Sequence, residues 1–342
     1  MGEKKIFLNK VSENDAKKFF PINFLLKNFK VKIARKKEDA EIIVGPAERF
    51  LHRDYLNLDK KNLIISGENL FFKRNLLSLF ESLFSRFFKE KKYKLIDLIN
   101  NLFPKKISSI EFSYFLGGYV KLLKKVSKGE IKNVFFVLSN KNLHKRSISF
   151  PLFLQFFFPK IKLLIKKKIP SEKELSKKKF CAFVVSSNSS RERIDFFKKL
   201  SKYKKVDSYG KVENNMGDLI QKTDWKGNID LFKKYKFVIC FENSFEEDYI
   251  TEKLPNVMFS CAIPIYRGAQ NIGEYFNEES FIGYEKYKNY EKMIKKIIEL
   301  DKNPKKYISF LKTPWFKNNK IPEKIINKKK ELFKFYEEIF SK

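Results

Sequence analysis

One stretch of the chain concentrates side chains that could do chemistry. Cys240 to Lys253, CFENSFEEDYITEK, holds Glu242, Glu246, Glu247, Asp248 and Glu252 and no basic residue before Lys253. In a chain with a formal charge of +33, an acidic run of this kind needs a reason. The apolar run before it, KFVIC, reads as a strand, and TEKLPNVMFSC after it reads as a helix. Thr251 to Lys253 should therefore open that helix, where unpaired N–H groups and the helix dipole favour an anion. A carboxylate there can bond ribose hydroxyls, and a lysine beside it can neutralise a diphosphate, which makes Glu252 and Lys253 a candidate nucleotide-diphosphate pair. The plainer alternative is that acids near a helix start only stabilise it.

Other chemistries are poorly supplied. Three cysteines, Cys181, Cys240 and Cys261, in apolar surroundings are too few for a disulfide framework and fit a reducing compartment. With only His52 and His144, no zinc site of CxxC or HExxH type can be written. The excess of Lys+Arg, 73 against 40 Asp+Glu, is almost all lysine and runs from Lys4 to Lys342. Nucleic-acid recognition would gather basic residues on one element beside aromatic platforms, so the pattern argues against it and fits attraction to anionic membrane surfaces better. The N-terminal residues MGEKKIFLNKVSENDAKKFF contain no apolar core of a signal peptide. The longest uncharged apolar stretch, SISFPLFLQFFFP, is too short to span a bilayer. A soluble or peripheral cytoplasmic protein is expected, in contact at most with the inner membrane surface.

The elements that must position these residues are legible as alternation. EIIVG and NLIISG, each closed by Gly, read as buried parallel strands whose carboxyl ends open into loops. From about residue 70 to 129 the pattern becomes amphipathic and helical, which reads as an insertion. A charge-rich connector is expected at 161–178. After it, strand and helix alternate from KFCAFVVSS through KFVICFEN to AIPIYRG, the signature of a parallel doubly wound sheet. The length suggests roughly two domains. The expected division is an N-terminal Rossmann-like domain at 1–160, the connector, a nucleotide-binding domain at 179–320 and a closing helix at 321–342. In that helix Ile325, Ile326, Leu332, Phe333, Phe335, Tyr336 and Phe340 are expected to share one side.

The segment YKFVICFENSFEEDYITEKLPNVMFSCAIPIYRG resembles the donor-binding signature of the α1,3-fucosyltransferase family over more than thirty contiguous positions. The likeness extends upstream through KFCAFVVSSNSSRERIDFF and YGKVENNMG, covering residues 178–285 well and 40–70 more weakly. It implies an α/β chain of GT-B fold, two facing Rossmann-like domains, a GDP-fucose donor and inverting transfer to a hydroxyl of an oligosaccharide or glycolipid, α1,3 to GlcNAc or Glc. At matching positions, Arg193 would bind phosphate, Asn243 and Tyr249 would line the donor pocket, Glu252 would hold the ribose and Lys253 the diphosphate. NLIISGEN resembles the family strand whose Gly-Glu-Asn end carries the general base, which would be Glu68. With Arg193 and Lys253 supplying charge, no metal and no other cofactor is expected.

Two positions depart from the family pattern: Asp248 stands where many relatives have Gly, and Arg267 where Trp is usual. Arg267 could reach the diphosphate or an acceptor carboxylate, or pair with the acids of the 246–248 loop. The alternatives to fucosyl transfer are a GT-B transferase of another nucleotide sugar and an inactive basic protein of the same fold at a membrane surface.

Overall fold

The computed structural model describes residues 3–9, 11–46, 59–65, 133–138, 146–165, 169–186, 190–217 and 228–340. The chain divides into two units. The first comprises Met1–Glu13, Phe29–Val137 and Leu143–Ser147, and the second Asn14–Asn28, Leu138–Asn142 and Ile148–Lys342. Glu68 and the expected insertion at 70–129 lie outside the described residues.

The N-terminal part of the chain supplies β1 (Lys4–Leu8), α1 (Glu13–Ala16), α2 (Phe20–Asn28), β2 (Val31–Ile33), β3 (Ile42–Pro46), β4 (Lys61–Ile65), β5 (Val134–Leu138) and β6 (Ser147–Ser149). Their sheet runs in the order β2-β1-β3-β4-β5-β6. β1 lies parallel to β2 and β3, setting Ile6 opposite Ile33 and Ile42, and β4 lies parallel to β3 and β5. Leu63, Ile64 and Ile65 are buried in succession, as expected of a parallel strand covered on both faces.

The second unit continues with α3 (Leu152–Phe157), a 3-10 turn (Phe158–Leu164), α4 (Glu172–Ser176), β7 (Lys179–Phe183), α5 (Arg191–Ser201), β8 (Val206–Ser208), α6 (Ile229–Phe232), β9 (Tyr235–Ile239), α7 (Lys253–Phe259), β10 (Ile263–Tyr266) and β11 (Ile282–Gly283). Four helices close it: α8 (Tyr284–Tyr287), α9 (Tyr290–Lys302), α10 (Pro304–Lys312) and α11 (Glu323–Phe340). The charge-rich connector is not featureless. Ser171 and Glu174 cap α4 reciprocally, each side chain accepting from the other's backbone N–H.

All neighbours in the second sheet, β11-β10-β9-β7-β8, are parallel. The chain starts at β7, adds β8 on one side, and returns across β7 to build outward through β9, β10 and β11. The winding direction thus reverses between β7 and β9, and in open α/β sheets ligands bind outside the carboxyl ends of the strands at such a point. The core beneath it holds Phe183, Phe196, Phe237, Ile239, Ile263 and Ile265, with Met293 and Ile297 of α9 against one face.

α11 packs within the same unit on α2: the Tyr336 hydroxyl donates to the Pro21 carbonyl at 3.1 Å. Its buried stripe is Ile325, Lys328, Leu332, Phe335, Tyr336, Ile339 and Phe340. Ile326 and Phe333, expected on that stripe, are instead 46% and 36% exposed. At about 100° per residue each lies a quarter-turn or more round the helix from the buried Ile325 and Leu332 that precede them.

Candidate functional site

The loops that leave β7 and β9 meet at the reversal point. α5 begins just beyond β7 and places Arg193 in its first turn, only 2% exposed, where its guanidinium donates to the Asn243 side-chain oxygen at 2.6 Å. Asn243 follows the strand β9, whose pairing with the β10 side continues past both strands through Cys240 N–H to the Ile265 carbonyl and Glu242 N–H to the Arg267 carbonyl, 2.9 and 2.8 Å.

Glu242, at the centre of this extension, is fully buried. Its carboxylate accepts from the Thr251 N–H (2.8 Å), the Thr251 hydroxyl (2.7 Å) and the Lys253 ammonium (3.0 Å). Lys253 donates also to the Thr251 hydroxyl oxygen at 3.1 Å, so the three side chains form one closed cluster at the start of α7. Burial pushes the Glu242 carboxyl above its ordinary range, and Lys253 and Thr251 draw it back only in part. Burial acts to lower Lys253, but the carboxylates of Glu242 and Glu252 outweigh it and hold the amine above its ordinary value, against the opposing Arg193 guanidinium. Lys253 is a firm cation near neutral pH. Gly268 closes the cluster from β10, because a Cβ there would lie 2.1 Å from the Tyr266 hydroxyl oxygen and 2.6 Å from Cγ of Glu242. Pro255 sits in the first turn of α7, where no helical N–H is lost.

Arg193, Asn243 and Lys253, with Glu252 beside the last, are therefore brought together. Asn243, Glu252 and Lys253 are partly exposed, whereas Tyr249 is almost wholly buried. Glu68 lies outside the described residues.

The acids of the 246–248 loop do not act as a set. Glu246 is exposed and Asp248 is buried, and among the described residues no group of three His, Cys, Asp or Glu side chains is placed to hold a metal ion. Asp248 has φ +64°, a left-handed backbone that Gly adopts most readily and Asp tolerates. Its carboxylate accepts from the Ser149 hydroxyl (2.6 Å), the Tyr275 hydroxyl (2.7 Å) and the Asn271 amide (2.8 Å). Burial pushes this carboxyl up, but the three hydrogen bonds outweigh it and hold it below the ordinary aspartate value. The departure from Gly thus keeps the turn and adds an anchor for the residue before Tyr249.

Arg267 does not pair with the 246–248 loop acids. Its guanidinium meets Glu192 at 3.3 Å, bonds the Tyr290 hydroxyl, and lies 4.0 and 4.3 Å from the ring centres of Phe245 and Tyr284. It joins the residue before Arg193 in space to the loop that carries Asn243, as a cation among aromatic faces.

Two cations and a carboxamide at the reversal point of a parallel sheet are an arrangement suited to an anion, in an α/β unit of the doubly wound class. Residues 174–337, just under half of the chain, match the model of glycosyltransferase family 10 (fucosyltransferase), C-terminal part, and this segment belongs to that family. Among curated relatives, it is 31% identical over 143 residues to the alpha-(1,3)-fucosyltransferase FucT of Helicobacter pylori, covering 42% of this chain and 29% of that one. It is 34% identical over 138 residues to the human 4-galactosyl-N-acetylglucosaminide 3-alpha-L-fucosyltransferase 9, covering 40% and 37%. The aligned part thus spans about a third of the relatives' length. A crystal structure of an alpha1,3-fucosyltransferase with GDP-fucose superposes with a TM-score of 0.57 at 18% identity, covering 96% of this chain and 90% of that one. One with GDP gives 0.61 at 16% identity, covering 99% and 91%. The fold is accordingly GT-B, and the family match reaches beyond the 178–285 segment read from motifs.

The motif reading did not single out Glu242, Thr251 or Gly268. The available signal was that Glu242 follows the apolar run FVICF without a polar break, a place where a carboxylate is buried and must be paired.

Proposed function

We propose that the protein transfers L-fucose from GDP-β-L-fucose to a glycan hydroxyl with inversion, forming an α1,3 linkage to GlcNAc or Glc. The observation that carries this reading is the convergence of Arg193, Asn243 and Lys253 at the sheet's reversal point, inside the family-10 segment. Breaking the fucosyl–phosphate bond leaves negative charge on the diphosphate. Two fixed cations in a partly dry site stabilise that charge more as it develops than in the ground state, which lowers the barrier without a metal ion. Glu242 keeps Lys253 charged and aimed, so the lysine need not reorganise during the reaction. Glu252 and Tyr249 hold the nucleoside. Glu68, three residues beyond β4, takes the proton from the acceptor hydroxyl as that oxygen attacks the face opposite GDP. Free thiols at Cys181, Cys240 and Cys261 support a cytoplasmic location, with the acceptor an oligosaccharide or glycolipid.

The test is binding followed by turnover. GDP should raise the melting temperature while UDP and ADP should not, because a ligand that binds only the folded state stabilises by mass action. With GDP-fucose and an acceptor array in EDTA, transfer should proceed, and Glu68→Gln should lower it by roughly two to four orders of magnitude with GDP binding nearly unchanged. A shift with UDP alone would move the assignment to another nucleotide sugar, and near-normal transfer by Glu68→Gln would remove Glu68 from the role of base.

A further inference from the structure

The large apolar side chains that stand exposed among the described residues are Leu163, Ile326 and Phe333, at 64%, 46% and 36%. All three belong to the second unit. Ile326 and Phe333 stand two turns apart on α11, and Leu163 projects from the 3-10 turn of Phe158–Leu164. Between these elements and α2 runs an open groove of about 560 Å³ whose floor includes Phe24, Phe158, Ile161 and Ile325. Ile326 is part of its wall, and Phe333 meets Phe24 edge to face with ring centres 6.3 Å apart.

The charged residues that line this groove have one sign. Lys27, Lys162 and Lys329 line it, and no acidic residue does. The ammonium of Lys329 is 5.7 Å from the centre of the Phe24 ring, so its stem crosses the apolar floor while its head remains exposed, as in a lysine at a membrane interface. Lys330 lies between Ile326 and Phe333 on the same stripe of α11, and Glu337, one turn further on, marks where the stripe ends.

We propose that this face docks on an anionic phospholipid surface. Leu163, Ile326 and Phe333 enter the interfacial layer, the groove accepts acyl chain, and Lys27, Lys162, Lys329 and Lys330 meet the headgroup phosphates. The charge complementarity selects this occupant. A lysine ring round an apolar groove, on a chain of net charge +33, is matched by a layer that is apolar within and negative at its rim. The proposal stands on surface residues away from the Arg193–Lys253 cluster, so it holds or fails separately from the fucosyl-transfer reading.

The full chain is sedimented with sucrose-loaded vesicles of phosphatidylcholine, with and without phosphatidylglycerol. The protein should bind only the phosphatidylglycerol vesicles, and binding should weaken as salt is raised. Ile326→Ser/Phe333→Ser and Leu163→Ser leave every charge in place. They should weaken vesicle binding by about tenfold or more, with the circular dichroism spectrum of a folded protein and unchanged GDP binding. Lys162→Gln/Lys329→Gln should weaken it by a similar factor. Apolar variants that bind like the wild type would show that diffuse charge alone attracts the protein and would overturn the proposal. It would likewise be overturned by wild type that ignores the anionic vesicles, or by serine variants that abolish self-association instead, which would make the face an interface between copies of the chain.

Discussion

Replacing Glu242 by Gln tests whether the buried carboxylate is what holds Lys253. The glutamine oxygen can accept the Thr251 N–H, and the Thr251 hydroxyl can turn to accept from the new amide. The Lys253 ammonium, however, then faces an N–H₂ where it had a carboxylate at 3.0 Å. One charge-assisted hydrogen bond is lost and a cation whose side chain is only 26% exposed loses its compensating charge, at a cost of about 2–4 kcal/mol. In a unit of this size each kcal/mol lowers the melting temperature by about 2–4 °C, so a drop of roughly 5–15 °C is expected. Thermal melts followed by far-UV circular dichroism measure it, and GDP titration should show weaker binding by about tenfold or more, since a mis-set Lys253 meets the diphosphate badly. Adding Lys253→Met should recover part of the lost stability, because it removes the unpaired cation, while GDP binding falls further. A Glu242→Gln variant melting within about 2 °C of wild type would refute the reasoning. So would a double variant less stable than the single one.

Two further outcomes follow from the same region and from the connector. Gly268→Ala should destabilise by about 1–3 kcal/mol and weaken GDP binding, because the new methyl group is driven into Tyr266 and Glu242; melting and titration read both, and unchanged GDP affinity would show that Glu242 does not transmit the displacement. Lys178 is pulled down to about 8 by burial, against an unfolded value near 10.4, so between those pH values the unfolded chain binds more protons and folding stability rises with pH. Lys178→Met should flatten that rise in denaturant midpoints measured across the window, and an identical slope in both proteins would remove Lys178 as its source.

The parallel sheets were legible because their strands, such as KFVIC and NLIIS, are continuous apolar runs with helices between them. Lys253 was read from its place at a helix start and Arg193 from the family motif, and the strand order, which local patterns do not encode, then placed them together. Glu242 escaped because a one-residue carboxylate at a strand exit looks like the start of an acidic surface loop; its burial arises from Gly268 and Thr251, distant in sequence. Asp248 looked like one acid among three, yet its left-handed backbone turns it toward Tyr275 while Glu246 stays in water. On α11 the apolar residues were read as a single face, but Ile325 and Ile326 are neighbours in sequence and cannot point the same way on a helix.

The bond from Tyr336 to Pro21 joins residues 315 positions apart within one unit. During synthesis α2 leaves the ribosome with Ile22, Phe24 and Leu25 in need of cover, whereas Tyr336 of the helix that covers them follows Pro21 by 315 residues. At 5–20 residues per second, α2 spends roughly 15–60 s without its partner. The second unit therefore cannot finish folding vectorially. Its closure waits for α11, and the interval is one in which a chaperone, or another nascent copy of the chain, can compete for the same apolar surface.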